Sequence, residues 1–311
     1  MHKHIVITGA GAMGCLLAAR LALAGNRVTV VDVDRQRLDR IAREGIMLED
    51  DTGQRIAKVA AGTADEVTAD GPDGPIDLLI LMTKGMHSRA AVRSVAHLAA
   101  SGCCALTLQN GLGNAEVLAE TFTPDRVLWG VTDLPADLDA PNRVVSHGVG
   151  HIQLGGWTGD AQNHAAAIAA LLDAAGLNAV ADADVRIAVW EKVAFNAALN
   201  ALATITGLTV GGMDSPEGRR IAGAVADETV ATAAALGVAV DGVRLQARID
   251  HALVHHRAHK ASMLQDRLAG RTTEIESING AIVAQADRAG VAAPVTRTLA
   301  DLVRMGEPGR T

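Results

Sequence analysis

A chain of 311 residues that is 49% hydrophobic and 20% charged is globular and long enough for two domains. Its formal charge of −7, with no run of Lys and Arg, excludes a nucleic-acid-binding face. Arg20 and the Asp227–Glu228 pair interrupt the two stretches that could otherwise read as membrane spans, so no membrane partner is expected.

In chain order, MHKH, an apolar run and LALAG superficially suggest a secretory leader, but the β-turn-α pattern is better explained as a first strand and helix. HIVIT (4–8) is a short apolar strand, GAGAMG (9–14) a turn, and CLLAARLALAG a helix ending at Gly25. RVTVVD (27–32) is a second strand, followed by the helix DRQRLDRIAREG, stopped by Gly45. MLED and QRIAKVAA flank the turn DTG as two antiparallel strands. DLLILMT (77–83) and CCALTLQN (103–110) are continuous apolar runs, expected of parallel strands covered on both faces, with a helix over about 87–100 between them. VLWGVTD, RVVSHG and HIQLGG are further strands. Beyond about residue 184 the pattern is helical: 185–203, 216–236, 241–256, 272–289 and 295–305, with Pro216 and Pro294 suited to helix starts. The expectation is α/β: a Rossmann-type doubly wound parallel sheet over residues 1–183, followed by an all-α domain over residues 184–311. With two Phe, three Trp and no Tyr, its core must be built from Ala, Val, Leu and Ile. Cys15, Cys103 and Cys104 have no metal or redox spacing and fit a reducing compartment such as the cytoplasm.

GAGAMG is G-x-G-x-x-G directly after a strand and opening a helix. Gly9 allows the tight turn, Gly11 lets backbone approach a pyrophosphate, and Gly14 lets the helix pack on the strand. Ala10, Ala12 and Met13 complete a loop whose helix N-terminus offers N–H groups to the phosphates. A tight turn without any cofactor is the competing reading. Asp32 ends the second strand, where a carboxylate accepts hydrogen bonds from ribose hydroxyls and repels a 2′-phosphate. NAD(H) is therefore favoured, while Arg35 and Arg37 leave room for NADP(H); the competing reading of Asp32 is a helix N-cap, a place that Asp34 could also take.

Lys192, Asn196 and Asn200 lie four residues apart in WEKVAFNAALNAL. Four steps return to nearly the same helix face, so the three form a polar ridge on an otherwise apolar helix. A lysine and two carboxamides suit a pocket for a small polar substrate; the bland alternative is a solvated face. In SMLQDRLAGRTTEIESINGAI (262–282), Ser262 and Glu274 flank a turn centred on Gly270. Glu274 could also serve only to match a helix dipole. His251, His255 and His259, with His256 alongside, repeat on one helix face; this is read as a polar face with no metal.

The chain resembles the ketopantoate reductase (2-dehydropantoate 2-reductase) family in GAGAMG, TKG at Lys84, LQNGLGN around Asn110, WEKVAFNAALNALATITG, and SMLQD with TEIESING. The likeness spans nearly the whole sequence. It implies that Lys192 protonates a ketone oxygen while nicotinamide delivers hydride, and that Glu274 orients Lys192 or binds a substrate hydroxyl. Asn196, Asn200 and Ser262 would hold the small-molecule 2-keto acid. Asn110 would sit between nicotinamide and substrate, Lys84 near the cofactor, and a homodimer through the helical domain fits the same resemblance.

Two departures are visible. Val33 stands at about the place where many relatives have an arginine for the 2′-phosphate, and His259 replaces a substrate-contacting asparagine. Both leave the reaction type intact and open the choice of substrate. An NAD-dependent D-2-hydroxy acid dehydrogenase of the D-mandelate type, a β-hydroxyacid dehydrogenase and a non-catalytic NAD-sensing regulator remain as alternatives. A short-chain dehydrogenase is excluded by the lack of tyrosine, and a zinc alcohol dehydrogenase by the lack of its cysteines.

Overall fold

The computed structural model describes residues 2–71 and 74–308. HIVIT forms β1 (His4–Thr8), buried at every position, as expected for a strand covered on both faces. It is followed by α1 (Ala12–Leu23), β2 (Arg27–Val31), α2 (Arg35–Glu44), β3 (Ile46–Asp50), β4 (Gly53–Ala57), β5 (Ala60–Gly62), β6 (Asp70–Gly71), β7 (Gly74–Pro75) and β8 (Leu78–Leu81). Then come α3 (Ser88–Ser94), β9 (Cys104–Thr107), α4 (Asn114–Ala119), β10 (Val127–Thr132), β11 (Asp137–Ala140), β12 (Arg143–Ser146), β13 (Ile152–Gly156), α5 (Gln162–Asp173) and β14 (Ala179–Ala181). Among the described residues six α-helices follow: α6 (Val185–Thr206), α7 (Pro216–Ala235), α8 (Gly242–His255), α9 (Ser262–Leu268), α10 (Asn279–Ala289) and α11 (Pro294–Met305). The chain divides into two units, Met1–Gln109 with Asn114–Val185, and Asn110–Gly113 with Arg186–Thr311.

In the first unit the main sheet has the order β14-β13-β10-β9-β8-β1-β2-β5. The block β5-β2-β1-β8-β9-β10 is parallel throughout, while β13 pairs antiparallel with β10 and carries β14 alongside it. Strand order reverses between β1 and β8, the switch point beside which doubly wound sheets bind ligands. Alternate side chains feed opposite faces: Ile5 and Ile7 join one core cluster with α1 and α5, and Val6 joins the other with Leu79, Leu81 and Phe122. The cores are aliphatic, as the composition requires. Arg20 apart, α1 is apolar all round because it is covered on both sides, by the main sheet and by the small sheet β11-β12-β3-β4. α2 buries only Leu38 and Ile41, so its polar face stays in water.

Asp50, at the end of β3, is buried among Arg20 of α1 (2.9 Å), Arg55 of β4 (2.5 Å) and the Thr52 hydroxyl (2.6 Å). Burial alone would raise its pKa; the Thr52 hydrogen bonds and the two arginines outweigh this and hold it below the ordinary carboxylate value.

In the second unit α6 runs unbroken for 22 residues, about 33 Å at the ordinary helical rise. Ser215 caps α7 by accepting from the Gly218 N–H, and Asp241 caps α8 through the Arg244 N–H. α11 is capped from a distance: Glu228 of α7 accepts from the Val295 and Thr296 N–H groups at 2.9 and 2.8 Å.

Four sequence expectations are corrected. QRIAKVAA is not one strand: it breaks after Ala57, and residues 60–62 leave the hairpin to pair parallel with β2. The strand expected over 103–110 ends at Thr107, where the Thr107 hydroxyl bonds the Gln109 side chain and turns the chain. The helix expected over 87–100 is α-helical only over Ser88–Ser94 and continues as a 3-10 segment. The helix expected from residue 272 begins at Asn279, because the Thr273 N–H and hydroxyl are both held by Glu307, which keeps the preceding segment in a turn.

Candidate active site

In the first unit the glycine-rich turn lies at the sheet's switch point. Gly9 has φ +109°, and a Cβ there would fall 2.7 Å from the backbone of Met82 and Thr83 at the end of β8. A Cβ on Gly14 would fall 1.9 Å from the Gly9 carbonyl oxygen. Gly11 differs: among the described residues, its own chain neighbours apart, nothing lies within 4 Å of where its Cβ would be, so its outer face is open. Gly11 is also the N-cap of α1 and supplies no side chain to the first-turn N–H groups, which include Ala12 and Met13. An uncapped helix N-terminus beside an open glycine suits an anionic group held by backbone.

Ala10 is fully buried, and its N–H donates to Asp32 Oδ2 at 2.6 Å. Asp32 Oδ1 accepts from the Val33 and Asp34 N–H groups at 2.7 and 3.0 Å. The N-cap of α2 is Asp34, which accepts from the Arg37 N–H, so Asp32 is not the cap of that helix. Arg35 is turned to Glu66 (3.2 Å) and Arg37 donates to the Ala10 carbonyl (2.9 Å). Cys15, one turn into α1, is buried, and desolvation pushes its thiol up to about 12, so it stays protonated at neutral pH.

Lys84 follows β8 and is half-buried. Beside it, Gln109 Nε2 donates to the Thr83 carbonyl (2.5 Å) and the Ser88 hydroxyl (2.9 Å), and Ser88 donates to Asn114 (2.9 Å). This partly buried chain ties the loops after β8 and β9 together. The sequence reading passed over Gln109, Thr83 and Ser88; the available signal was a polar residue two places beyond each of the apolar runs of β8 and β9, at Thr83 and Gln109, whereas Ser88 opens α3.

In the second unit Lys192 and Asn196 are half-buried and Asn200 is buried, all on the continuous helix α6. Ala194, Ala197, Ala198 and Ala201, beside them, are buried. The neighbouring acid Glu191 is buried but paired with Arg244, and lies 3.8 Å from Arg248. Residues 110–113 pack onto the turn that carries Glu274: the Leu112 N–H donates to the Ser277 carbonyl (2.8 Å), and a Cβ on Gly111 would fall 2.3 Å from that oxygen. Ser277 and Ile278 in turn bond the Glu274 carbonyl. Fully buried Asn279 donates to the Ala197 carbonyl of α6 at 3.1 Å, which sets this turn alongside the part of α6 that bears Asn196. The structure thus brings the segments of Asn110, Glu274 and Asn196 together. Glu274 is half-buried and precedes α10 by a full turn segment, outside the first turn of any helix.

Ser262 opens α9 and is exposed; His259 is exposed, its carbonyl accepting from the Val210 N–H at 2.9 Å. The His251 and His255 rings stack with centroids 4.3 Å apart, and His259 is not part of that stack.

The family model described as "Ketopantoate reductase PanE/ApbA" matches residues 5–159, and the one described as "Ketopantoate reductase PanE/ApbA C terminal" matches residues 184–307. A 2-dehydropantoate 2-reductase from Halobacterium salinarum is 33% identical over 306 residues, covering 98% of this chain and 99% of the relative. One from Archaeoglobus fulgidus is 32% identical over 308 residues, covering 99% of each. Among solved structures, a D-mandelate dehydrogenase in ternary complex with NADH and anilino(oxo)acetate superposes with a TM-score of 0.91 at 26% identity, covering 98% of both chains. A PanE/ApbA family ketopantoate reductase from Ralstonia eutropha superposes with a TM-score of 0.87 at 30% identity, again covering 98% of both.

Proposed function

Because the chain belongs to the ketopantoate reductase family, we propose that it is an oxidoreductase that reduces the ketone of a 2-keto acid, 2-dehydropantoate, to the secondary alcohol. The observation that carries this reading is the pairing, in one chain, of the open uncapped turn at residues 9–14 with the Lys192–Asn196–Asn200 ridge. When bound at that turn, a nicotinamide dinucleotide supplies the hydride. The chain's own residues do the rest. The Lys192 ammonium donates a proton to the ketone oxygen as its charge develops, and Glu274 keeps that ammonium charged and aimed. Asn196 and Asn200 offer neutral hydrogen bonds to the carboxylate and hydroxyl of the substrate. Ser262 and His259 serve the far end of the substrate, and Asn110 the boundary between substrate and nicotinamide.

NADH is the preferred donor in this proposal. Asp32 places a negative charge where a 2′-phosphate would lie, and Arg35 and Arg37 are committed to Glu66 and to the Ala10 carbonyl. Lys84, the basic residue just after β8, stands against this preference. The three free, buried cysteines fit a cytoplasmic enzyme, and the same proposal includes a homodimer.

A second reading, an NAD-dependent D-2-hydroxy acid dehydrogenase, is favoured by one observation: the likeness to the NADH-bound D-mandelate dehydrogenase. Initial rates of 2-dehydropantoate reduction with NADH and with NADPH, side by side, separate the readings. Turnover with either supports the first and the faster cofactor tests Asp32. Absence of turnover on 2-dehydropantoate, with turnover on benzoylformate, sinks the first and selects the second.

A further inference from the structure

We infer that Arg37 is a positioning residue for the dinucleotide loop, acting through the Ala10 carbonyl, and not a ligand of a 2′-phosphate. This rests on the reading of residues 9–14 as the dinucleotide cradle. Ala10 has no solvent exposure, and its N–H and carbonyl both meet side chains, from the loop after β2, from the first turn of α2 and from α1. Its N–H donates to Asp32 at 2.6 Å; its carbonyl accepts from Arg37 Nη1 at 2.9 Å and, more weakly, from the Cys15 thiol at 3.4 Å.

A trans peptide is planar, with its C=O and N–H pointing in opposite directions. Anchoring the Ala10 C=O on Arg37 therefore directs the Gly11 N–H away from Arg37. By the same geometry, anchoring the Ala10 N–H on Asp32 directs the Gly9 C=O the other way, which is where it is found, against Gly14. The two peptides flanking Ala10 are thus held from both sides. Gly11 has no Cβ to restrict it and, among the described residues and its own chain neighbours apart, nothing within 4 Å of that position, so its own sterics do not set its N–H. Arg37 performs that role.

Arg37 is itself preset. It is the third residue of α2, its N–H is bonded to the capping Asp34 at 3.1 Å, and its Nε lies 3.7 Å from Asp34 Oδ2. Its side chain is only 26% exposed. A guanidinium that lies 3.7 Å from the Asp34 carboxylate and donates to a backbone carbonyl of the turn acts on the loop, and so on every ligand that uses the loop, whatever its ribose carries.

The test is titration of the full-length wild type, Arg37→Ala and Arg37→Lys with NADH, NADPH and ADP-ribose, with steady-state rates in the two reduced cofactors. Arg37→Ala is expected to weaken all three ligands by the same factor, about tenfold, the scale of one charge-assisted hydrogen bond. KM for NADH should rise with it, while kcat at saturating cofactor moves less than about twofold. Arg37→Lys keeps a donor and should recover the larger part. A loss confined to NADPH would make Arg37 a 2′-phosphate ligand and overturn the inference, as would unchanged affinity for all three. A wild type that binds none of the ligands would instead remove the cradle reading on which the inference stands.

Discussion

The first unit shapes its candidate site with backbone, and the second shapes its own with side chains. At residues 9–14 the geometry is set by what cannot be added: a single methyl group on Gly9 or Gly14 would collide with main chain that has no room to retreat. On α6 it is set by what a rigid helix displays at Lys192, Asn196 and Asn200, between alanines that need only helical packing. Changes in the first unit should therefore couple binding to folding. Changes on the α6 ridge should separate chemistry from folding.

The strongest break of that contrast would come from Gly14→Ala. Its Cβ would stand 1.9 Å from the Gly9 oxygen, so helix or loop must shift; we expect a cost near the upper end of overpacking, about 3 kcal/mol, and loss of detectable NADH binding. Thermal unfolding and a fluorescence titration read both, and wild-type binding would show that the cradle is not rigid. Lys192→Ala should do the opposite: kcat falls by at least ~10²-fold while melting temperature and dinucleotide affinity stay near wild type. Unchanged kcat would remove Lys192 from the chemistry.

Asp32→Ala should sharpen the picture of the first unit. It deletes a charge and also the acceptor of the Ala10 N–H, so both cofactors weaken. The NADH-to-NADPH ratio of kcat/KM should drop about tenfold because the repulsion of the 2′-phosphate is gone. A parent enzyme that already prefers NADPH would contradict this.

The smallest effect is expected away from either site. The folded-state pKa of Asp50 is depressed, so its contribution is complete above the ordinary carboxylate range and is lost as pH falls through the folded value. Asp50→Asn should cost about 1–2 kcal/mol at neutral pH, and the gap to wild type should close on acidification. A gap in melting temperature that stays constant with pH would show that the ionised form of Asp50 is not what stabilises β3, β4 and α1.

The strand-glycine-helix start was legible in the sequence because its three glycines fall at fixed spacing between a strand and a helix and Gly14 meets Gly9 within that stretch; the approach of Met82 and Thr83 to Gly9 is a tertiary contact. The α6 ridge was legible for a similar reason, since four-residue spacing on a helix is a local property. The aliphatic core, the helical second half and the starts at Pro216 and Pro294 followed from pattern and composition alone. The helix over 272–289 was misjudged because periodicity continues through residues 272–278, whereas Glu307, 34 residues away from Thr273, holds that segment in a turn. Whether Asp32 or Asp34 capped α2 was likewise undecidable, because either carboxylate is within reach in sequence.

What the sequence by itself determined are the properties carried by neighbours along the chain: the α/β-then-α order, the glycine turn, the polar ridge and the aliphatic make-up of the core. Only the tertiary structure decided which polar groups meet across distance. It joined Asp32 and Arg37 to Ala10, Gln109 to Thr83 and Ser88, Leu112 to Ser277, and Asn279 to Ala197. Each of these is a directional bond between partners well separated in the chain. Buried polar groups must find such partners, but nothing in local spacing or periodicity names which ones they find.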